Sequence, residues 1–542
     1  MHVRIRPGLL AGVVLSFPPA LATETAPPLG FAELEKSGAV IGEVRVDARN
    51  IFDLGNPAES GLFYRTANRL HIVTRPAVIA RTLLFKSGDK VSLQKIEETE
   101  RLLRTLSIIH DVEIRPAAHE DGKVDIDVTT RDSWTLDLTG SYSRSGGNDK
   151  SAFGVKERNL LGTGLSVGYS RTSDADRTGT EIDVAYNQAF GGRTQVAFDR
   201  GRFDDGARTS FLVDCPFYSL DTRRAVRGAW SDEDRIDPIY NSGELVSEFR
   251  HRLKAIDVSA GWSPGLIGGW TRRLSAGAYL HDDAYRVESG RALTIALPVD
   301  HRVRAPFLRY ELLEDEFVKV RNYRNIARTE FLGLGLRLQV QVARSLENLG
   351  ATRSEWLYAA EASGGITLEP GHRLLGRATL ERRVASTATP LTQGGLAVQL
   401  YAPRSTDSLY YASIAADRVR GGGAADQLLL GGTEGLRGYP SRYQAGENRV
   451  LANFEQRLYS DWYPFRLIRV GGAAFFDVGR AWGGPNQNTV NGGWLSDVGV
   501  GLRMAFDRTA FANVLHLDLA VPLRRAPGIK TVQFLVKTEL TF

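Results

Sequence analysis

Three short constellations in this sequence carry residue types able to do covalent or metal chemistry. Gly164-Leu165-Ser166-Val167-Gly168 fits the G-x-S-x-G pattern, in which a strained strand-to-helix elbow presents a nucleophilic serine. Here the segment lies inside a period-two alternation, so Ser166 is expected within a strand and without that elbow. His281-Asp282-Asp283 offers metal-donor atoms, but neighbouring strand residues point to opposite faces, and the segment reads instead as a solvated loop turn. Cys215 is the single cysteine, with no partner for an intrachain disulfide and no nearby His to activate it. No catalytic residue, metal or other cofactor is expected.

The remaining candidate is an ion pair. Arg437 lies in Gly431-Gly432-Thr433-Glu434-Gly435-Leu436-Arg437-Gly438-Tyr439-Pro440, within the glycine-rich stretch 421–448. That stretch is too long for an ordinary hairpin connection, and its glycines imply either disorder or an unusual backbone path. A backbone bending tightly around Gly435 and Gly438 would let Arg437 reach inward to a carboxylate and form a two-pronged pair. Asp477, in Phe475-Phe476-Asp477-Val478-Gly479, is a carboxylate on an inward strand face that it could reach. Losing either partner would leave a partly buried charge alone, at a cost on the order of 3 kcal/mol.

Such a pair has to be held by strands, and the sequence supplies them from about Ser133 onward. Trp134, Leu136 and Leu138 alternate with Thr135, Asp137 and Thr139; Leu165, Val167 and Tyr169 alternate with Ser166, Gly168 and Ser170; Leu515, Leu517, Leu519 and Val521 alternate with His516, Asp518 and Ala520. One face of each strand is apolar and the other polar, with aromatics near strand ends and polar connections, as in a membrane barrel with a wet interior. Backbone groups in lipid must all be paired, so such a sheet has to close on itself. Residues 131–542, at roughly 25 residues per strand with its connection, give about 16 antiparallel strands. The last of them places Val532, Phe534, Val536, Leu540 and Phe542 on one side, which suits a final strand that zips against the first.

Ahead of the strands lies a unit of different periodicity. Residues 1–22 read as an export signal: basic Arg4 and Arg6, an apolar run over 9–17, and Ala20-Leu21-Ala22 before the expected cut. Residues 23–39 read as a linker. Residues 40–130 then show a strand with Val44, Val46 and Ala48, a helix from Pro76 with Ile79 and Leu83 inward, and a second helix capped by Ser92 with Leu93, Ile96, Leu103 and Leu106 inward. Glu97, Glu98 and Arg101 are expected to face water. Strands around Val112 and Ile114 and around Val124, Ile126 and Val128 follow, joined by a turn at Glu120-Asp121-Gly122. The order is β-α-α-β-β, with residues 53–75 as a long link. An exposed edge at Asp111, Val112, Glu113, Ile114 and Arg115 could accept an extended polypeptide by strand addition.

The loop motif, the following Asn453-Phe454-Glu455-Gln456-Arg457, the Phe475–Gly479 motif and Gly154-Val155-Lys156-Glu157-Arg158-Asn159-Leu160-Leu161-Gly162-Thr163-Gly164 together resemble conserved segments of the outer membrane assembly and secretion superfamily. That superfamily includes BamA and TamA assembly factors and two-partner secretion transporters, and residues 40–130 look like its POTRA domain. The resemblance implies a surface-antigen-type transmembrane barrel in the outer membrane with a single periplasmic POTRA domain, and it implies that Arg437 meets Asp477. It further implies insertion or translocation of unfolded polypeptide clients. Dedicated secretion of one partner and a passive pore stand as alternatives, and chaperones or accessory subunits as further partners. The formal net charge of +5 is scattered, so nucleic acid is not an expected partner.

Overall fold

Helical and period-two segments separate at residue 133, and a computed structural model of the chain folds them as a small domain packed against a separate strand sheet. It describes residues 30–539, apart from 146–147, 174–176, 242–243, 387, 423–425, 485–491, 511–513 and 526–528. The export signal, Leu540 and Phe542 lie outside the described residues.

The small N-terminal domain comprises helix α1 (Phe31–Lys36), strand β1 (Val40–Arg49), helices α2 (Leu62–Leu70), α3 (Pro76–Ala80) and α4 (Leu93–Thr105), and strands β2 (Ile109–Glu120) and β3 (Lys123–Asp132). The sheet order is β1-β3-β2, with β1 parallel and β2 antiparallel to β3. A parallel pair needs a crossover, which the helices between β1 and β2 provide. The β2–β3 hairpin turns on Asp121 and Gly122, both at positive φ (48° and 73°), the combination a two-residue primed turn requires. Ile41, Ile79, Leu103, Ile109, Val124 and Ile126 fill the core. Each such side chain, fully buried, stabilises the fold by roughly 1.5–3 kcal/mol.

Three expectations for this domain are corrected. Leu34 of α1 is fully buried in the core, so residues 31–36 belong to the domain and not to a linker. The expected link at 53–75 carries α2, whose Ala67 packs with Ile51 and Phe52 against Trp134 and Leu467. Glu98 and Arg101 do not face water. Glu98 accepts a hydrogen bond from the Leu220 backbone N–H at 2.8 Å, and Arg101 lies 3.7 Å over the Phe317 ring and pairs with Asp315 at 3.4 Å. Helical periodicity marked that face as polar without revealing that other parts of the chain cover it.

Residues beyond 135 form one antiparallel sheet in barrel order, in which the last described strand (Gln533–Glu539) neighbours the first (Leu136–Ser145). Among the described residues it contains twenty strands of seven or more residues, not about sixteen. The spacing per strand is shorter than expected because connections such as 204–205, 370–371 and 406–407 are tight turns. Outward side chains such as Leu308, Leu396 and Val500 are apolar and exposed. Along Val514–Pro522, His516, Asp518 and Ala520 are buried while Leu519 is exposed, so the polar face is the enclosed one. Among the described residues no helix is long and apolar enough to cross a membrane.

His281, Asp282 and Asp283 sit inside the strand Trp270–Arg286 and not in a loop turn. His281 bonds Asp257 at 3.1 Å on the adjacent strand, and Asp283 bonds His251 at 2.9 Å. Cross-strand partners thus pair with His281 and Asp283, and Arg304 pairs with Asp282. Ser166 lies in the strand Leu165–Ser173.

Candidate functional site

Two long connections turn into the barrel from opposite ends. Residues 421–447 enter from the end away from the small domain, between strands Ser408–Arg420 and Asn448–Tyr459, which pair directly with each other. The inserted segment makes its own short ladder, Leu428–Leu430 against Gln444–Gly446. It buries Leu430, Leu436, Tyr439 and Tyr443 against Ala481 and Leu495. The Tyr439 hydroxyl donates to the Ser496 carbonyl at 3.0 Å, so the aromatic body is buried and its polar tip is satisfied. Gly435 stands at φ 103°, with Leu451 packed where a side chain would be; Gly438 lies directly against Asp497.

That path delivers Arg437 to the inner wall. Its Nε donates to Asp477 Oδ2 and its Nη2 to Asp477 Oδ1, both at 2.7 Å. Nη1 donates to Glu455 Oε1 at 2.7 Å and to Asp518 Oδ2 at 3.4 Å, and the guanidinium lies 3.5 Å from the centroid of the Phe475 ring. Asn453 Nδ2 bonds both Asp477 Oδ1 (2.8 Å) and the Gly435 carbonyl (3.1 Å), tying wall and loop together. Asp477 is fully buried. Paired twice and stacked, the arginine offsets the desolvation that a buried carboxylate would otherwise impose.

The network is wider than an Arg437–Asp477 pair. Glu455 also accepts from Arg457 Nε at 2.7 Å, and Arg503 pairs with Asp518. Asp497 stands opposite Asp477 on the next strand. Sequence reasoning named both Glu455 and Asp518, the latter on the polar face of its strand, without assigning either a role beside Arg437. The available signal was parity: Asn453, Glu455 and Arg457 alternate with Phe454, so all three share the enclosed face. Phe475 lies under the Arg437 guanidinium, and Gly479 follows two residues after Asp477 on the same strand. Gly479 lies close to the Val450 carbonyl, where a side chain would collide.

The second insert, residues 315–336, was not anticipated. Its hairpin pairs Phe317–Arg321 with Thr329–Gly333 and enters from the end that faces the small domain. Val320, Tyr323, Leu332 and Leu334 pack on Tyr401 and Leu409 of the inner wall, and Ile326 packs on Ala505 and Val514. Arg457 Nη1 donates to the Tyr323 carbonyl at 3.1 Å, so one arginine touches the second insert while pairing with Glu455, the acceptor of Arg437. The insert also reaches the small domain through Lys319–Glu100 at 2.7 Å and Arg328 to the Ile109 carbonyl at 3.3 Å.

On the small domain, β2 forms one edge of the sheet. Asp111, Glu113 and Arg115 are exposed, Val112 is buried and Ile114 packs on the core. Arg104 donates to Asp111 at 2.8 Å and to the Val112 carbonyl at 2.7 Å, so this edge is partly capped. At the final strand, Phe534 is exposed on the outer face and Val536 lies on the same side, while Gln533 and Leu535 are buried.

Comparison with solved structures finds similar chains. BamA from Haemophilus ducreyi lacking POTRA domains 1-3 is similar over 91% of this chain and 84% of that one, at 13% identity and a TM-score of 0.40. CdiB from Acinetobacter baumannii covers 92% of this chain and 74% of its own, and CdiB from Escherichia coli 92% and 76%, each at 13% identity and a TM-score of 0.47. No family model and no curated protein matches the sequence.

Proposed function

We propose that the chain is an outer membrane barrel that inserts polypeptides into the bilayer or passes them across it, with the small domain as a POTRA-type periplasmic receiver. The observation that carries the reading is the Arg437–Asp477 fork, which holds a long external loop inside the barrel against the wall of the C-terminal strands. A passive pore has no use for such a lock, nor for a second insert packed on the inner wall beside the first. The apolar outer face meets hydrocarbon, the polar inner face meets water, and the sheet closes because open edges cannot persist in lipid.

Clients are captured as extended chain. The β2 edge at residues 111–115 offers backbone groups that read little sequence, and Arg104 leaves the Val112 carbonyl as the client strand adds. No group in this scheme performs covalent chemistry, and Ser166 has no part in it. No nucleotide drives the step; the client's own folding supplies the free energy.

The test is site-specific photocrosslinking in cells from positions 111, 113 and 115. Adducts to unfolded barrel proteins or to one secreted protein support capture at this edge and separate general insertion from dedicated secretion. Adducts to neither, with strong crosslinks at a control surface, contradict it.

A further inference from the structure

The small domain carries an apolar face with nothing on it. On α2, Leu62, Phe63 and Leu70 fall on one side at helical spacing and all are exposed, Leu62 at 82%. The other side of the helix is occupied, with Ala67 and Tyr64 against Ile51 and Phe52. The exposed face continues onto the barrel. Phe63 and Phe465 have ring centroids 6.5 Å apart, and Phe465 shares the turn at 460–467 with the exposed Trp462. That turn follows directly on Leu458, whose side chain belongs to the apolar outer face.

We propose that α2 and the 460–467 turn form a lipid-binding surface that seats the small domain in the head-group region of the periplasmic leaflet. The inference rests on the membrane-barrel reading and extends it to the soluble domain. Two observations select lipid over a protein partner. Other hairpins at the same end also expose an apolar side chain, Leu161 and Phe190 on successive turns and Trp262 at the end of its strand. Apolar side chains repeated on one rim connection after another suit a bilayer interface, which all of them would meet. In addition, the exposed Arg65 and Arg69 flank the α2 face, where they can reach anionic phosphates while their stems lie along apolar surface. Residues 50–72 also grip the barrel: Arg508 donates to the Ile51 carbonyl at 2.9 Å and to Glu59 at 3.0 Å. A lipid contact at α2 therefore fixes the height and tilt of the receiver beneath the barrel mouth.

The test uses the full chain with Cys215→Ser and one new cysteine, Leu62→Cys or Leu70→Cys, carrying an environment-sensitive fluorophore. The protein is reconstituted in vesicles of phosphatidylethanolamine and phosphatidylglycerol. Leu138→Cys on the outer barrel face and Glu97→Cys on the exposed side of α4 serve as lipid and water controls. The expected result is blue-shifted emission at 62 and 70, quenched by lipid brominated near the head group, to an extent between the two controls. Arg65→Glu with Arg69→Glu should reduce that quenching in anionic vesicles. Quenching by aqueous iodide alone at 62 and 70, with Leu138→Cys still quenched by lipid, overturns the anchor and leaves the barrel intact. Shielding from both quenchers assigns the face to a second copy or another protein and equally overturns it. Loss of lipid quenching at Leu138→Cys as well overturns the barrel reading itself.

Discussion

Arg437 grips Asp477 with both prongs of its guanidinium, each at 2.7 Å, although 40 residues separate the two in sequence and one of them lies in a loop. The pair is the point at which the external insert becomes part of the wall. Arg437→Ala leaves the buried Asp477 short of its charge partner, a loss on the order of 3–5 kcal/mol. The variant should fold its barrel, as judged by heat-modifiable migration, and should expose the 421–447 loop to external protease. Arg437→Lys should behave nearly as badly, because a point charge cannot reproduce a planar fork.

Gly438 sits so close to Asp497 that an added Cβ would stand 2.5 Å from the Asp497 Cβ. Gly438→Val should therefore lift the loop even though every charged group remains. The same protease assay checks it: cleavage in Gly438→Val matching that in Arg437→Ala ties loop placement to backbone approach as well as to charge.

The inner insert packs on the wall at Tyr401 and Leu409 and touches the network through Arg457. Replacing residues 317–333 by a short glycine–serine turn should raise single-channel conductance in planar bilayers. Unchanged conductance would show that the hairpin does not obstruct the pathway.

Docking of the small domain should weaken in acid. His110 of β2 lies among Asp507, Arg508 and Arg328, and burial above all pushes its pKa down from 6.5 to about 4. Undocked, it takes up a proton below about pH 6.5; docked, it resists until about pH 4, so protonation favours the undocked state across that window. Glu98 opposes this in part, since burial raises its pKa and its protonation favours docking. A proximity label between the small domain and the turn at 507–510 should report increasing separation from pH 6.5 down to 4 in the parent, and a flatter response in His110→Asn.

How much of this was legible in the sequence follows from what each signal encodes. Period-two alternation identified the enclosed face at His516, Asp518 and Ala520, because parity within a strand is a local property. The glycine-rich segment left disorder and an unusual path equally open, and it was the resemblance of the two motifs to a known superfamily that pointed from Arg437 to Asp477. Strand number was not legible, since it depends on how short the turns are. The roles of Glu98 and Arg101 were hidden because their partners, Leu220, Asp315 and Phe317, lie more than a hundred residues away, and amphipathicity is silent on what covers a polar face. The insert at 315–336 was not anticipated for the same reason: Val318, Val320 and Leu332 alternate as wall strands do, and only the tertiary fold turns them inward.

The central claim is tested most directly by folding of an unfolded barrel client into vesicles containing the purified protein, followed by protease protection. The account predicts faster acquisition of protection than in empty vesicles, and a clear loss of that acceleration for Arg437→Ala at equal amounts of inserted protein. Equal rates with and without the protein, or an Arg437→Ala variant as fast as the parent, would contradict it.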